Sequence, residues 1–462
     1  MTDDNSAYTP DDEFADAAAA VYAELLARVG EVNPQPRLEP TRRAVELLGD
    51  PQRSYPMIHV TGTNGKTSTS RMIESLLRAH GLRTGLLTSP HLVSFNERIV
   101  IDGEPISNEA LAHNWADIAP YIAMVDTELI AADELPLTFF EALTVLAFAS
   151  FADAPIDVAV VEVGMGGEWD STNVADGQVA VFAPIALDHL GKLGDTIAEI
   201  ARTKSGIIKP AAAVVSATQA PEAEAELARA AELTESTLAV QGAAPGFELL
   251  SSTVAVGGQL ITVRGLAGTY SEHFLPLYGS HQAQNAALAI AAVESFLGGG
   301  TQAIAEDILT EALGGVTSPG RLQLVGIEPT VIVDAAHNPH GASSLVAALG
   351  AYFDFDEIAV VLGVLSDKDA RGIIQALTPV ATRFHVTQSG SERAIDAYEL
   401  GELVADAVGE EAVFVSNDPA EALQSAREWA DAAPRRAVVV TGSITLVAEA
   451  IVIADAENWM QS

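Results

Sequence analysis

The sequence predicts an α/β protein of two domains, each a mostly parallel sheet with helices on both faces. Three observations predict this. Short β-rich apolar runs alternate with helical patterns along most of the chain. The glycine- and proline-rich stretch GGVTSPGR, across residues 314–321, interrupts that alternation, and five more strand-like runs follow it. At 462 residues the chain is also too long for one core. The division expected is a loose tail (1–12), a larger domain (13–314), a hinge (315–320) and a smaller domain (321–462).

The elements follow in order. From Phe14 to Val29 apolar residues recur at helical spacing, and Gly30 ends the helix. A short helix near Thr41 to Leu48 ends at Gly49. PMIHV reads as a buried strand, and TSRMIESLLRAHG as a helix with Met72, Ile73, Leu76 and Leu77 on one face and Gly81 as its cap. TGLLTS is strand-like, PLTFFEALTVLAFASFA is a buried helix, and IDVAVVEVG and VAVFAPIAL are two strands. SSTVAVGGQLITVRG reads as a meander at an antiparallel edge, and HQAQNAALAIAAVESFLG as helix. After the hinge, TVIVDAA, EIAVVLGVL, RFHVTQ, AVFVS and RAVVVTG are the strands of the second domain.

Composition narrows the function classes. The chain is 48% hydrophobic and 19% charged, with a formal net charge of −39. Such a charge disfavours nonspecific binding to nucleic acid or to anionic membrane, so neither is an expected partner. An anionic ligand would need a local basic site working against that field. There is no cysteine, which excludes disulfides, thiolate nucleophiles and zinc–cysteine sites. The acidic start lacks the basic and apolar regions of a signal peptide, and a cytoplasmic enzyme is the expectation.

The stretch VTGTNGKTS, Val60 to Ser68, lies between a strand and a helix. This is the layout of a phosphate-binding loop: backbone N–H groups and the helix dipole face an anion, Lys66 adds a point charge, and a hydroxyl can reach Mg²⁺. The usual pattern has glycine six residues before the lysine. Here that position is Val60, so the loop is a shortened form bent at Gly62 and Gly65. It makes the first domain P-loop ATPase-like, beside a Rossmann-like second domain. The alternative is an ordinary tight turn before a helix.

Other polar residues fall at the carboxyl ends of strands, where α/β folds put function. They are Glu162, the pair Asp188 and His189, and Asp334 with His337 and Asn338 close behind. Each alone is a weak signal, since acids also cap helices and turns. His337 and His340 lie in HNPHG, where Pro and Gly favour a turn over a ligand-bearing helix. Together they suggest one nucleotide held by residues of both domains.

GTNGKTS, TSPHLVSFNERI, LTFFE, EVGMGGEWDSTN, LDH, TKSGIIK, GSHQAQNA, PGRLQ and DAAHNPHGA occur in the order found in the folylpolyglutamate synthase and dihydrofolate synthase family of the Mur-ligase superfamily. The chain resembles that family from about Leu38 onward. The resemblance implies an ATP-dependent ligase of folate and one-carbon metabolism: a substrate carboxylate becomes an acyl phosphate, the amine of L-glutamate attacks it, and phosphate leaves. It implies that Thr63, Asn64, Gly65 and Lys66 bind the ATP phosphates, with Thr67 or Ser68 supplying a hydroxyl, and that Asn285, Arg321 and Asp334 also bind ATP. Ser89, Glu162 and His189 would ligate Mg²⁺. Lys204 matches a lysine carbamylated in the family, which would hold a second Mg²⁺. His337 would lie near the reacting phosphate or the incoming glutamate. Thr138, Phe139, Phe140 and Glu141, with Trp169, Asp170 and Ser171, match the segments that cradle the pterin substrate, a dihydropteroate or reduced folate. The chain departs from the family pattern at Glu168, where a basic residue is usual, at Thr203, where an acid is usual, and at Thr67, where glycine is common.

Two rival readings fit the sequence less well. Muramyl ligases of the same superfamily carry a UDP-binding domain before the loop, whereas here two helices precede Thr61. A nucleotide-binding module without bond formation would need neither Asp334 and His337 nor a pterin segment. LTFFE favours a dihydropteroate pocket and hence both synthase activities. A monomer is expected.

Overall fold

The computed structural model describes residues 12–30, 34–188 and 191–460. The chain divides into two units. One takes the described residues through Ser251 with Thr262–His273 and Asn285–Gly315; the other takes Ser252–Ile261, Phe274–Gln284 and the described residues from Val316 onward.

The first unit is built on an eight-stranded sheet. Its strands are β1 (Met57–Thr61), β2 (Thr84–Leu87), β3 (Ile99–Ile101), β4 (Glu104–Pro105), β5 (Val158–Glu162), β6 (Val179–Phe182), β7 (Ala213–Ser216) and β8 (Thr237–Val240). They run in the order β4-β3-β2-β5-β1-β6-β7-β8. The six from β2 to β8 pair in parallel, and the β3–β4 hairpin adds an antiparallel edge. β1 and β5 are buried at every position, as a parallel sheet covered on both faces requires.

The helices of this unit are α1 (Ala15–Leu26), α2 (Glu39–Leu47), α3 (Lys66–Ala79), α4 (Asn108–Ala131), α5 (Phe139–Asp153), α6 (Ile197–Ser205) and α7 (Pro221–Leu233). Val21 and Leu25, Val45, Trp115 and Ile118, and Leu146 and Phe148 bring α1, α2, α4 and α5 into one core against Met57, Leu87 and Val161. A second core packs Ile200 and Leu227 of α6 and α7 on Phe182 and Val214. Burial of such aliphatic and aromatic side chains is the main favourable term in the fold. α4 runs on through Pro120, which stands exposed, so the backbone bond lost there faces water.

The meander expected at a sheet edge is instead a separate three-stranded sheet, ordered β11-β10-β9, of β9 (Glu248–Ala255), β10 (Gly258–Arg264) and β11 (Thr269–Leu275). The two residues between β9 and β10 include Gly257 at φ +76°, which suits a tight hairpin. α8 (Ser280–Gly298) and α9 (Glu306–Gly314) follow.

The sheet of the second unit has six strands: β12 (Gln323–Gly326), β13 (Thr330–Val333), β14 (Glu357–Leu362), β15 (Arg383–Val386), β16 (Val413–Val415) and β17 (Arg436–Thr441). The order is β12-β13-β17-β14-β15-β16. The five expected strands are parallel, and β12, not anticipated, pairs antiparallel with β13 through an irregular register. Helices α10 (Pro339–Tyr352), α11 (Ala370–Leu377), α12 (Ala397–Val408), α13 (Pro419–Asp431) and α14 (Ile444–Ala456) complete it. Among the described residues no helix is long and apolar enough to cross a membrane.

One buried polar group links this core to pH. His59 on β1 is fully buried; its Nε2 lies 2.9 Å from Thr172 Oγ1, and its Nδ1 has no partner among the described residues. Burial, with the Lys209 charge second, pulls its pKa from 6.5 down to about 3. The folded pKa is below the unfolded one, so between those two values the unfolded chain binds more protons. The stability this group contributes is complete above about pH 6.5 and falls as pH drops through the window, by up to about 1.4 kcal/mol per pH unit. Denaturant unfolding between about pH 6.5 and 5 should therefore show a shallower decline for His59→Gln than for the wild type. Equal slopes would contradict this.

Candidate active site

β1 ends where the loop begins, and backbone geometry explains its glycines. Gly62 has φ +150°, and a Cβ there would stand 2.8 Å from the Ala183 Cβ. Gly65, the residue before α3, has φ +85°, and its Cβ would meet Asn285 Oδ1 at 2.8 Å. Only glycine meets both demands. The loop is fastened to the segment after β6: Thr63 N donates to Pro184 O at 2.9 Å, and its hydroxyl bonds both Ala186 O and Ala186 N at 3.0 Å. Asn64 N also points to Pro184 O, at 3.4 Å.

Lys66 is the first residue of α3, with Nζ 3.4 Å from Thr63 O. The helix N-terminus and this ammonium together favour an anion. Thr67, next along, donates its hydroxyl to both oxygens of Glu162 at 3.0 Å, and Ser89 N approaches the same carboxylate at 3.4 Å. Glu162 is the last residue of β5 and is buried. Ser68 is buried one step further into α3.

Lys204, near the end of α6, is buried and donates Nζ–H to Gly62 O at 2.7 Å. Burial first, then the Lys66 charge, lowers its pKa to about 7, while Asp188 and Asp170 pull the other way. Lys66, Lys204, Gly62, Thr63 and Asp188 line one pocket with the Gly164–Gly166 turn. The strand-end position of Asp188 was its signal in the sequence, although it had no expected role.

The loop, Glu162, Ser89, Lys204 and Asn285 are thus brought together. His189 lies outside the described residues. Among those described, no three His, Asp or Glu side chains converge as a metal cluster. The donor chemistry nevertheless suits Mg²⁺: a buried carboxylate with the Thr67 hydroxyl on it, and Ser89 reaching it through its backbone N–H, offers hard oxygen donors.

The other expected segments lie around this pocket. Thr138 caps α5, and its hydroxyl accepts from Glu141 N while Glu141 Oε2 accepts from Thr138 N at 2.7 Å. The Glu141 carboxylate also holds Arg37, so it is already engaged within the protein. Phe139 is buried under the Arg98 guanidinium, 5.1 Å from the ring centre. Phe140 packs its ring on Gly164, where a Cβ would stand 2.5 Å away. Ser171 Oγ lies 2.6 Å from Thr144 Oγ1. Asp170 accepts from Met165 N at 2.8 Å and from Thr172 N at 3.0 Å; burial raises its pKa, and these bonds oppose the rise. Trp169 is half-buried against Gly166. Two of the three departing residues prove to be neighbours, with Glu168 N donating to Thr203 O at 2.8 Å.

In the second unit, Asp334 directly follows β13 and fixes two backbones. Its Oδ2 accepts from Leu322 N and its Oδ1 from Ala336 N, each at 2.9 Å. Burial raises its pKa, and the Arg321 charge works against that. Nδ1 of His337 lies 2.9 Å from Ala335 O. Asn338 then caps α10, so His340 sits in the first helical turn, beyond the turn expected for HNPHG. His281, within the GSHQAQNA stretch, has its pKa lowered to about 4 by burial and by the Arg321 and His340 charges.

A family model described as Mur ligase middle domain matches residues 60–293, and one described as Mur ligase, glutamate ligase domain matches 320–444. The dihydrofolate synthase/folylpolyglutamate synthase of Mycobacterium tuberculosis is 43% identical over 89% of this chain and 89% of its own. The chain belongs to the dihydrofolate synthase/folylpolyglutamate synthase family. Its Escherichia coli member is 32% identical over 86% of each chain. The structure of M. tuberculosis folylpolyglutamate synthase complexed with ADP superimposes with a TM-score of 0.91 at 42% identity, covering 96% of this chain and 99% of that one. E. coli FolC in complex with DHPP and ADP gives 0.82 at 29% identity, covering 96% and 99%.

The loop geometry makes a direct test. Gly65→Ala imposes a left-handed backbone on alanine and a clash with Asn285. Calorimetric binding of ADP should weaken by about tenfold or more, roughly 1.4 kcal/mol, in a variant that still folds. Unchanged binding would contradict the role given to this loop.

Proposed function

We propose that this protein joins L-glutamate to dihydropteroate, and to the γ-carboxylate of reduced folates, with ATP as the energy source. The observation that carries the reading is the meeting of Lys66 and Lys204 at one pocket, with Thr67, which pairs with Glu162, next to Lys66 in the chain and Phe140 packed on Gly164 of the pocket lining. Names and bound ligands of the relatives support it: both activities are named together, and ADP and DHPP occur in the FolC structure. The working parts are residues 13–314 and 321–462, joined by the hinge 315–320, and the protein acts in the cytoplasm as a monomer.

The acceptor carboxylate attacks the γ-phosphorus of ATP, ADP leaves, and an acyl phosphate results. The neutral amine of glutamate then attacks the acyl carbon, its nitrogen gives up a proton to solvent, and phosphate departs with one former carboxylate oxygen. Lys66 and the N–H groups of Thr63, Asn64 and Gly65 would hold the phosphates and offset charge that builds on their oxygens. Asn285, lying against Gly65, would fix the nucleotide from the α8 side. Ser89, Glu162 and His189 are proposed as Mg²⁺ ligands, and Mg²⁺ when bound would neutralise phosphate charge. Arg321, Asp334 and His337 are assigned to the nucleotide and glutamate. Phe139 and Phe140, with Thr138 and Trp169–Ser171, are assigned to the pterin; Glu141 serves there by holding the segment's shape.

Lys204 is proposed to be carbamylated. With its pKa lowered to about 7, a share of the amine is neutral near neutral pH and can add CO₂, releasing one proton. The carbamate would be a further oxygen donor for a second Mg²⁺.

The deciding assay is ATP-dependent transfer of labelled glutamate to each acceptor. Product is expected with dihydropteroate and with tetrahydrofolate, and none with a muramyl peptide precursor. Lys204→Arg keeps the charge but cannot form the carbamate, and should lose about 10²-fold or more in rate. Turnover with muramyl substrates alone would overturn the reading, and a fully active Arg variant would overturn the carbamate.

A further inference from the structure

The stretch from Leu135 to Phe139 leads into α5 without any strand or helix partner, so its backbone groups must find partners elsewhere. Two arginines far away in the sequence take its carbonyls, and Asp126, Glu141 and Val29 take its N–H groups. Arg37 donates Nη1–H to Leu135 O and Nη2–H to Pro136 O, each at 2.9 Å. The same guanidinium bonds both oxygens of Glu141, Nε at 2.9 Å and Nη2 at 3.0 Å. Arg28 donates to Leu137 O at 2.9 Å and pairs with Asp126 at 3.0 Å. Asp126 in turn accepts from Leu137 N at 2.8 Å, and Phe139 N donates to Val29 O at 2.9 Å. With Thr138 N on Glu141, every backbone carbonyl from Leu135 to Leu137 and every N–H from Leu137 to Phe139 is engaged.

This arrangement goes beyond ordinary surface pairing. The Arg37 side chain is 18% exposed and that of Glu141 5%, so the pair is little screened. A planar fork holding a carboxylate by two bonds fixes direction as well as distance. What it fixes is the first turn of α5, and hence Phe139 and Phe140. Phe140 rests on Gly164, which lines the pocket of Lys66 and Lys204. A tilt of the 135–139 segment would therefore move the aromatic wall relative to that pocket without disturbing the phosphate loop, which is fastened to Pro184 and Ala186.

We infer that Arg37, seconded by Arg28, is a positioning residue for acceptor recognition: it sets the aromatic wall of the pterin site from outside that site. The inference rests on the assignment of Thr138–Phe140 to the acceptor. It implies that the loss of Arg37 weakens acceptor recognition selectively, where a merely structural role would leave the Michaelis constants alone or move them together.

The test is steady-state kinetics of the full chain, with Arg37→Ala and Arg37→Lys beside the wild type, varying acceptor, ATP and glutamate in turn. Arg37→Lys keeps the charge without the fork, and serves if the alanine variant folds poorly. The acceptor KM should rise on the order of tenfold in Arg37→Ala and by a smaller factor in Arg37→Lys, with KM for ATP within about twofold. An unchanged acceptor KM, or equal rises for all substrates, would overturn the inference. A wild-type protein that fails to use either pterin acceptor would instead overturn the functional reading itself.

Discussion

Two lysine amines, Lys66 and Lys204, open onto one small pocket, and the rest of the site depends on how that charge is managed. The Lys66 charge disfavours protonation of Lys204. Lys204 answers by burial, by a bond to Gly62 O and by a lowered proton affinity, with Asp188 and Asp170 as partial counter-charges. Lys66 keeps its place at a helix start, where the dipole also favours an anion. The result is a local demand for negative charge inside a chain of net charge −39. That combination admits a phosphate-bearing ligand at one point and disfavours it over the rest of an acidic surface.

The sheet order places these groups. β2, β5, β1 and β6 are neighbours, so the segments after their carboxyl ends gather Ser89, Glu162, the phosphate loop and the Pro184–Asp188 segment. α/β sheets bind ligands at such strand ends, since the loops there are free to vary while the strands are fixed by burial. The glycines are the price of the close approach: Gly62 lies against Ala183, Gly65 against Asn285, and Gly164 against Phe140.

Much of this was legible in the sequence because it is local. The strand–loop–helix at Val60–Ser68 announces itself within nine residues, and period-two and period-3.6 patterns mark most elements of both sheets. What the sequence hid is long-range or weakly patterned. β12 has four residues and only part of its length buried, too little to stand out. α4 passes through Pro120, which reads as a break until the proline is seen facing solvent. The separate sheet of β9–β11 carries the same alternation that an edge of the main sheet would. Arg37 gave no signal at all, since its partner Glu141 is 104 positions away. The same holds for the contact of Phe140 with Gly164 and for the bond from Lys204 to Gly62, in which a lysine of one helix tip serves the loop before another.

The proposed reaction turns on one covalent event, activation of the acceptor carboxylate by the γ-phosphoryl group. Isotope transfer reads it directly. With ¹⁸O in both carboxylate oxygens of the acceptor, turnover with ATP and glutamate should deliver one ¹⁸O to each phosphate released, detected by mass or by the ³¹P chemical shift. Label missing from the phosphate, with amide product formed at the same time, would contradict the acyl phosphate and with it the role given to this pocket.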